Sequence, residues 1–141
     1  MGHSMGGHGA LTIFLKNQDI FKSVSAFAPI CAPALCPWGR KAFALYLGDD
    51  NVLWENYDSC LLIEKISSSE AKMRSPILID QGLDDEFLES QLNPHLLERV
   101  ARKNGFPIQI RRHRNYDHSY FMISTFIEDH LHHHASLLKL D

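Results

Sequence analysis

The sequence of 141 residues lacks long apolar runs, any excess of basic charge and a rich supply of cysteine. No apolar stretch approaches the length of about 18 residues that predicts a membrane span, and the first residues lack the charged-then-apolar layout of a signal peptide. The 17 acidic and 14 basic residues give a net charge of -3, which disfavours nucleic acid or an anionic membrane as a partner. We therefore expect a cytoplasmic protein without a nucleic-acid or membrane partner.

The three cysteines are Cys31, Cys36 and Cys60. An odd number without the paired spacing of a metal site favours reduced thiols over a disulfide framework. We expect Cys31 and Cys60 to be packing residues. The chain is 45% hydrophobic, which suits one globular domain or a large part of one.

The segment Gly2-His3-Ser4-Met5-Gly6 matches the G-x-S-x-G pattern of a nucleophile elbow, a sharp turn from a strand into a helix. Such a turn holds its serine in a strained conformation, and small residues at positions 2 and 6 let strand and helix approach closely. Ser4 is then the candidate nucleophile, and the backbone N–H of Met5 is a candidate oxyanion donor. Two alternatives are a chance match and a glycine-rich phosphate loop, although no Lys-Ser/Thr follows the glycines.

An elbow needs a strand before it, but only three residues precede Ser4. We therefore expect residues 1–141 to form a single partial domain, truncated just before the elbow.

Hydrophobic periodicity predicts alternating helices and strands along the rest of the chain, which is typical of a parallel α/β sheet. An ordered loop is expected at 30–39, a second short helix after Asp49 or Asp50, and a surface connection at 67–69. The predicted helices are 8–21, 41–47, 94–104 and 119–133, and the predicted strands are 22–28, 76–80 and 107–112.

Two loops after predicted strands carry the other residue types that a serine nucleophile needs. Acidic residues at 84–86 follow the strand 76–80, and His118 follows the strand 107–112. The order serine, acid, histidine is that of α/β-hydrolases, in which the acid orients the histidine base. The residues alone leave Asp84 and Asp85 open as the acid. A solvated turn at 84–86, and Asp117 as the cap of the last helix, are the alternatives.

The remaining histidines have less specific interpretations. His130 and His134 share a helical face and could ligate a metal, but we favour a solvated helix end. His3 and His8 flank Ser4 and are expected to line a pocket or pack, while His95 is expected to be structural, as is His113.

Several segments in order resemble the S-formylglutathione hydrolase family, also called esterase D. The resemblance covers nearly the whole chain, as the C-terminal half of that family's protein. The matching segments are GHSMGGHGA (2–10), SAFAPIC (25–31), CPWG (36–39), YLG (46–48), DQG (80–82) with Asp84-Asp85, and YDHSY (116–120).

The resemblance implies Ser4 as nucleophile, Asp85 as triad acid and His118 as general base. It implies hydrolysis of S-formylglutathione to glutathione and formate, side activity on small aryl esters, no cofactor or catalytic metal, and a family that often forms a homodimer at full length. Ala32 and Asn115 depart from the family pattern, which usually has asparagine and glycine there. A broader small-ester carboxylesterase and a non-catalytic fragment are the alternatives.

Overall fold

The computed structural model describes residues 1–67 and 75–138. Their strands form a four-stranded sheet in the order β1-β2-β3-β4, and each neighbouring pair is parallel. The strands are β1 (Gly2–His3), β2 (Val24–Phe27), β3 (Ile77–Gly82) and β4 (Ile108–His113). The predicted parallel α/β fold is therefore confirmed.

Helices connect and cover the strands. No helix in the described ranges is both long and apolar enough to cross a membrane. The described α-helices are α1 (Met5–Lys16), α2 (Pro37–Leu47), α3 (Asn51–Trp54), α4 (Ser59–Glu64), α5 (Pro94–Asn104) and α6 (Tyr120–Leu137), with a 3₁₀ turn at Glu55–Tyr57 and a π-helical turn at Leu88–Leu92.

Local capping chemistry fixes several helix ends where the sequence predicted them. The Asp50 carboxylate accepts from the N–H groups of the first turn of α3, and the Ser119 hydroxyl accepts from the N–H of Phe121 at the start of α6. Gly48 and Gly105 follow α2 and α5 with positive φ of 76° and 67°, which glycine adopts readily.

Several predicted boundaries differ from the structure. Helix α2 begins at Pro37, not at residue 41, because the Cys36 Sγ caps it by accepting from the Gly39 N–H at 3.4 Å. Helix α1 ends at Lys16, five residues early. Helix α5 has the predicted bounds, and Asn93 before it has φ of 50° and makes no side-chain cap. Of the predicted surface connection at 67–69, residues 68 and 69 lie outside the described residues.

Helices pack on both faces of the sheet, and successive strand side chains point to opposite faces. One face carries Val24, Ala26, Ile77 and Ile79, which join a core cluster with residues of α1, α4 and α5. The other face carries Phe27, in a second cluster with residues of α6. Every residue of β3 is buried, so this strand is covered on both faces.

A buried charged network lies under α6. Asp80 on β3 is fully buried and accepts from the guanidinium of Arg111 at 2.6 and 2.5 Å, while its oxygens lie 3.1 Å from His113 Nε2 and 3.0 Å from His130 Nε2. Burial alone would raise the pKa of Asp80, but the bonds with His130, Arg111 and His113 outweigh it and hold that pKa well below its usual range. His113 is thus structural, as expected.

The expectation of a solvated helix end at His130 and His134 is wrong. His130 is fully buried against Asp80. The two ring nitrogens of His134 lie at hydrogen-bonding distance from two hydroxyls, that of Ser23 just before β2 at 2.7 Å and that of Ser25 on β2 at 2.8 Å. These histidines face the sheet because α6 packs against β2 and β3. Within the described ranges, no group of three or more metal-ligating side chains is placed to hold an ion.

Cys31 and Cys60 are buried free thiols, as the sequence predicted for packing residues. Burial raises the pKa of both thiols, which keeps them in the unreactive protonated form.

Candidate active site

Ser4 stands between β1 and α1 in a strained conformation, with φ of 54° and ψ of -117°. Its N–H donates to the carbonyl of Phe27 on β2 at 2.9 Å, which ties the turn to the sheet. A Cβ on Gly2 would lie 2.2 Å from the Gly6 carbonyl oxygen, so only glycine fits there. The reason expected for Gly6 is wrong, because a Cβ at that position meets nothing within 4 Å.

The second crowded glycine of this turn is Gly7. A Cβ on Gly7 would lie 2.9 Å from the Cβ of Pro29 and 3.2 Å from the Gly2 carbonyl oxygen. Strand β1, the start of α1 and the end of β2 therefore meet by backbone contact, as an elbow requires.

The structure distinguishes the two aspartates that the residues alone left open. Asp85 Oδ2 lies 2.6 Å from His118 Nδ1, and the Asp85 side chain is fully buried. Its carboxylate also accepts from the Phe87 N–H at 2.9 Å and from Gln81 Nε2 at 3.1 Å. Asp84 is exposed to solvent.

Direct backbone contact between the two loops brings Asp85 and His118 together. A Cβ on Gly82 would lie 2.2 Å from the Tyr116 carbonyl oxygen, so the chain after β4 lies directly against the end of β3. The Asp84 N–H donates to the same carbonyl at 3.0 Å. Asn115 has φ of 63°, a conformation that glycine and asparagine tolerate best, which explains how asparagine stands where the resembled family has glycine.

Two rings contact the His118 imidazole. His3, the residue before Ser4, lies 4.5 Å from it between ring centroids, and Phe87 lies 5.2 Å from it in an edge arrangement. Sequence reasoning assigned His3 only to a pocket wall or to packing, and it did not single out Phe87. The adjacency of His3 to Ser4 was the available signal for the first contact, and none pointed to the second.

The elbow contacts His118 through the ring of His3, the residue before Ser4, and not through a direct bond of Ser4 itself. Among the hydrogen bonds of the described residues, none joins the Ser4 hydroxyl to His118. In serine hydrolases without substrate this contact is often long and tightens when substrate binds.

A cavity of about 490 Å³ opens beside Ser4. Met5, which begins α1 and is 71% exposed, forms part of its wall. His8 also lines it, with a pKa lowered by burial and no partner within the described residues for its buried Nδ1. The other side chains around it are mostly apolar and aromatic: Ile30, Pro33, Trp38, Ala42, Phe43, Tyr46, Leu47 and Tyr57.

A strained serine between a parallel strand and a helix, with an acid and a histidine in contact after two later strands, defines a protein of the α/β-hydrolase fold. The chain belongs to the Esterase family, whose model matches residues 1–133.

Curated proteins and a solved structure that are similar to this chain support the family assignment. The S-formylglutathione hydrolase of Arabidopsis thaliana is 55% identical over 139 residues, 99% of this chain and 48% of that protein. The S-formylglutathione hydrolase of Rattus norvegicus is 51% identical over 98% of this chain and 48% of its own length. The solved S-formylglutathione hydrolase of Agrobacterium tumefaciens is 48% identical with a TM-score of 0.90, over 98% of this chain and 48% of that structure. The chain thus spans about half the length of the relatives it matches.

Proposed function

We propose that this chain carries the catalytic residues of a serine hydrolase that cleaves S-formylglutathione to glutathione and formate. The observation that carries the proposal is the contact of 2.6 Å between Asp85 Oδ2 and His118 Nδ1, beside an elbow serine. The substrate is taken from the names of the relatives at 55% and 51% identity.

In the first half of the reaction, the Ser4 hydroxyl attacks the formyl carbon and its proton passes to His118 Nε2. Asp85 holds Nδ1 and stabilises the imidazolium that forms. The Met5 N–H, at the first position of α1, donates to the oxyanion of the tetrahedral intermediate. When the carbon–sulfur bond breaks, His118 returns the proton to the sulfur, and glutathione leaves.

In the second half, water attacks the formyl-serine ester with His118 as base. Collapse of the second tetrahedral intermediate releases formate and returns the proton to Ser4. The strained backbone of Ser4 supports this role because it keeps the hydroxyl at the mouth of the turn, where a substrate reaches it.

The cavity beside Ser4 favours a second candidate, a broader carboxylesterase. Its volume of about 490 Å³ is large for a formyl group, and its aromatic wall suits apolar groups. Comparing kcat/KM for S-formylglutathione with that for a longer acyl ester separates the two candidates. A preference for the longer ester would replace the formyl substrate in this proposal.

The first experiment is labelling of the 141-residue chain with a fluorophosphonate, beside its Ser4→Ala variant. Labelling that disappears in the variant supports Ser4 as nucleophile, and hydrolysis of S-formylglutathione is then measured on the same material. Labelling that persists in Ser4→Ala contradicts the assignment.

The third candidate, a non-catalytic fragment, predicts no labelling of this chain. The same labelling in a protein extended to the length of the relatives then distinguishes a misassigned serine from a partial domain that needs its other half.

The proposal also includes the setting of the enzyme. We take residues 1–141 as one partial α/β-hydrolase domain, because the relatives are about twice as long. Three buried free thiols are consistent with the cytoplasm, and the net charge of -3 gives no reason to expect nucleic acid. The homodimer implied by the family resemblance is tested by light scattering.

A further inference from the structure

His3 is the one titratable side chain whose ring contacts the His118 imidazole among the described residues. Its centroid lies 4.5 Å from that of His118, and the two ring planes are inclined by 39°. This separation falls at the short end of the range in which aromatic rings attract one another. Tyr120, at the start of α6, lies 5.8 Å away from His3.

The polar atoms of His3 do not explain its position. Its Nε2 is buried and has no hydrogen-bond partner within residues 1–67 and 75–138. A buried nitrogen without a partner is unfavourable, and such groups in folded proteins call for an explanation. The contact that His3 supplies is that of its ring with the ring of His118.

The charge of His3 fits such a contact. Burial lowers the pKa of His3, the positive charge of His118 lowers it further, and Asp85 only partly opposes these effects. His3 is therefore neutral at neutral pH and does not repel a proton that arrives on His118.

We propose that His3 is a positioning residue for the His118 base. Its neutral ring and the ring of Phe87 form an aromatic clamp that keeps the His118 imidazole turned towards Asp85. The inference rests on the proposed function for its consequence in catalysis, but the clamp itself is a property of the free protein. Without the ring of His3, one of three contacts that restrain His118 is lost, and the imidazole samples orientations in which Nδ1 leaves Asp85.

The test compares two substitutions of similar size at position 3. His3→Phe keeps an aromatic face and His3→Leu removes it, while neither provides a nitrogen. His95→Leu is the control, because His95 is an exposed residue of α5 away from the site. The primary readout is the low-field proton NMR signal of the His118 Nδ1–H bonded to Asp85, recorded without substrate. The second is the rate of fluorophosphonate labelling at Ser4.

We expect His3→Leu to broaden or abolish the low-field signal and to slow labelling roughly fivefold, within the range that an aromatic contact contributes. His3→Phe and His95→Leu should keep the signal, with labelling within about twofold of the unchanged chain. Equal behaviour of His3→Leu and His3→Phe, whether both are normal or both defective, overturns the proposal. Absence of the low-field signal from the unchanged chain also overturns it, because the Asp85–His118 contact is then not formed. If the unchanged chain gives the signal without labelling, activity of this chain alone fails and labelling of the extended protein decides the proposed function, while the NMR comparison still tests the clamp.

Discussion

Replacement of Gly82 by alanine tests whether the Asp85–His118 pair depends on the close approach of two backbones. The new Cβ would lie 2.2 Å from the Tyr116 carbonyl oxygen and 3.0 Å from that of Asp117, whereas ordinary contact begins at 3.4 Å. Both obstacles are backbone atoms, so no side-chain rotation relieves the overlap. The end of β3 and the histidine loop must separate by about 1 Å, the difference between the observed and the ordinary contact distance.

We expect this separation to lower the free energy of unfolding by about 2–3 kcal/mol, the upper range for overpacked sites. It also moves His118 relative to Asp85, and a displacement of about 1 Å in a catalytic group can reduce the rate about 100-fold. Urea unfolding measures the first effect, and the rate of fluorophosphonate labelling at Ser4 measures the second.

Gly9→Ala is the matched control, because a Cβ at Gly9 in α1 meets nothing within 4 Å. Alanine is the better helix former, so this variant should gain up to about 1 kcal/mol and label at the unchanged rate. A Gly82→Ala variant as stable as the unchanged chain, or labelled within about threefold of its rate, would refute the reasoning.

Three further predictions follow from the same structure. Asp85→Asn should slow labelling of Ser4 about 1,000-fold or more, because the buried carboxylate that bonds to His118 is lost. Asp84→Asn should leave the labelling rate unchanged, because Asp84 is exposed. Equal effects of the two substitutions would contradict the assignment of the acid. Asn115→Gly should leave urea stability within about 0.5 kcal/mol, whereas Asn115→Val should lower it by about 1–2 kcal/mol, since φ is 63° and a β-branched residue is strained there. Burial, with the nearby N-terminal ammonium, lowers the pKa of His134 from 6.5 to about 4. At pH values between about 4 and 6.5, the unfolded chain therefore binds a proton at His134 that the folded chain does not. The free energy of unfolding should therefore fall as pH drops from about 6.5 to 4, and His134→Gln should flatten this part of a urea-unfolding series; an unchanged slope would exclude His134 as its source.

The proximity of the acidic loop to the histidine loop was predictable because it depends on topology. The carboxyl ends of parallel strands meet at one edge of a sheet, so residues after β3 and β4 had to lie near one another. The choice between Asp84 and Asp85 was not predictable from the residues alone. It depends on the turn after Gly82, where the Phe87 N–H and Gln81 bind one carboxylate and leave the other in solvent.

The fold was predictable where hydrophobic periodicity is strong. It was less predictable where a partner far away along the chain determines whether a side chain is buried. The pattern around His130 resembles a solvated helix end, since its partner Asp80 is fifty positions away along the chain. The start of α2 was missed for a local reason. Its cap is the sulfur of Cys36, which lies outside the usual Ser, Thr, Asp and Asn signals.

The network around Asp80 has a consequence for when the chain folds during its synthesis. Its cationic partner Arg111 and its ring partner His130 are synthesised 31 and 50 residues later, so a ribosome completes β3 long before either exists. Burying an unpaired carboxylate is strongly unfavourable. We therefore expect the sheet to close around β3 only after β4, which carries Arg111, has emerged, with the nascent chain open at this strand until then.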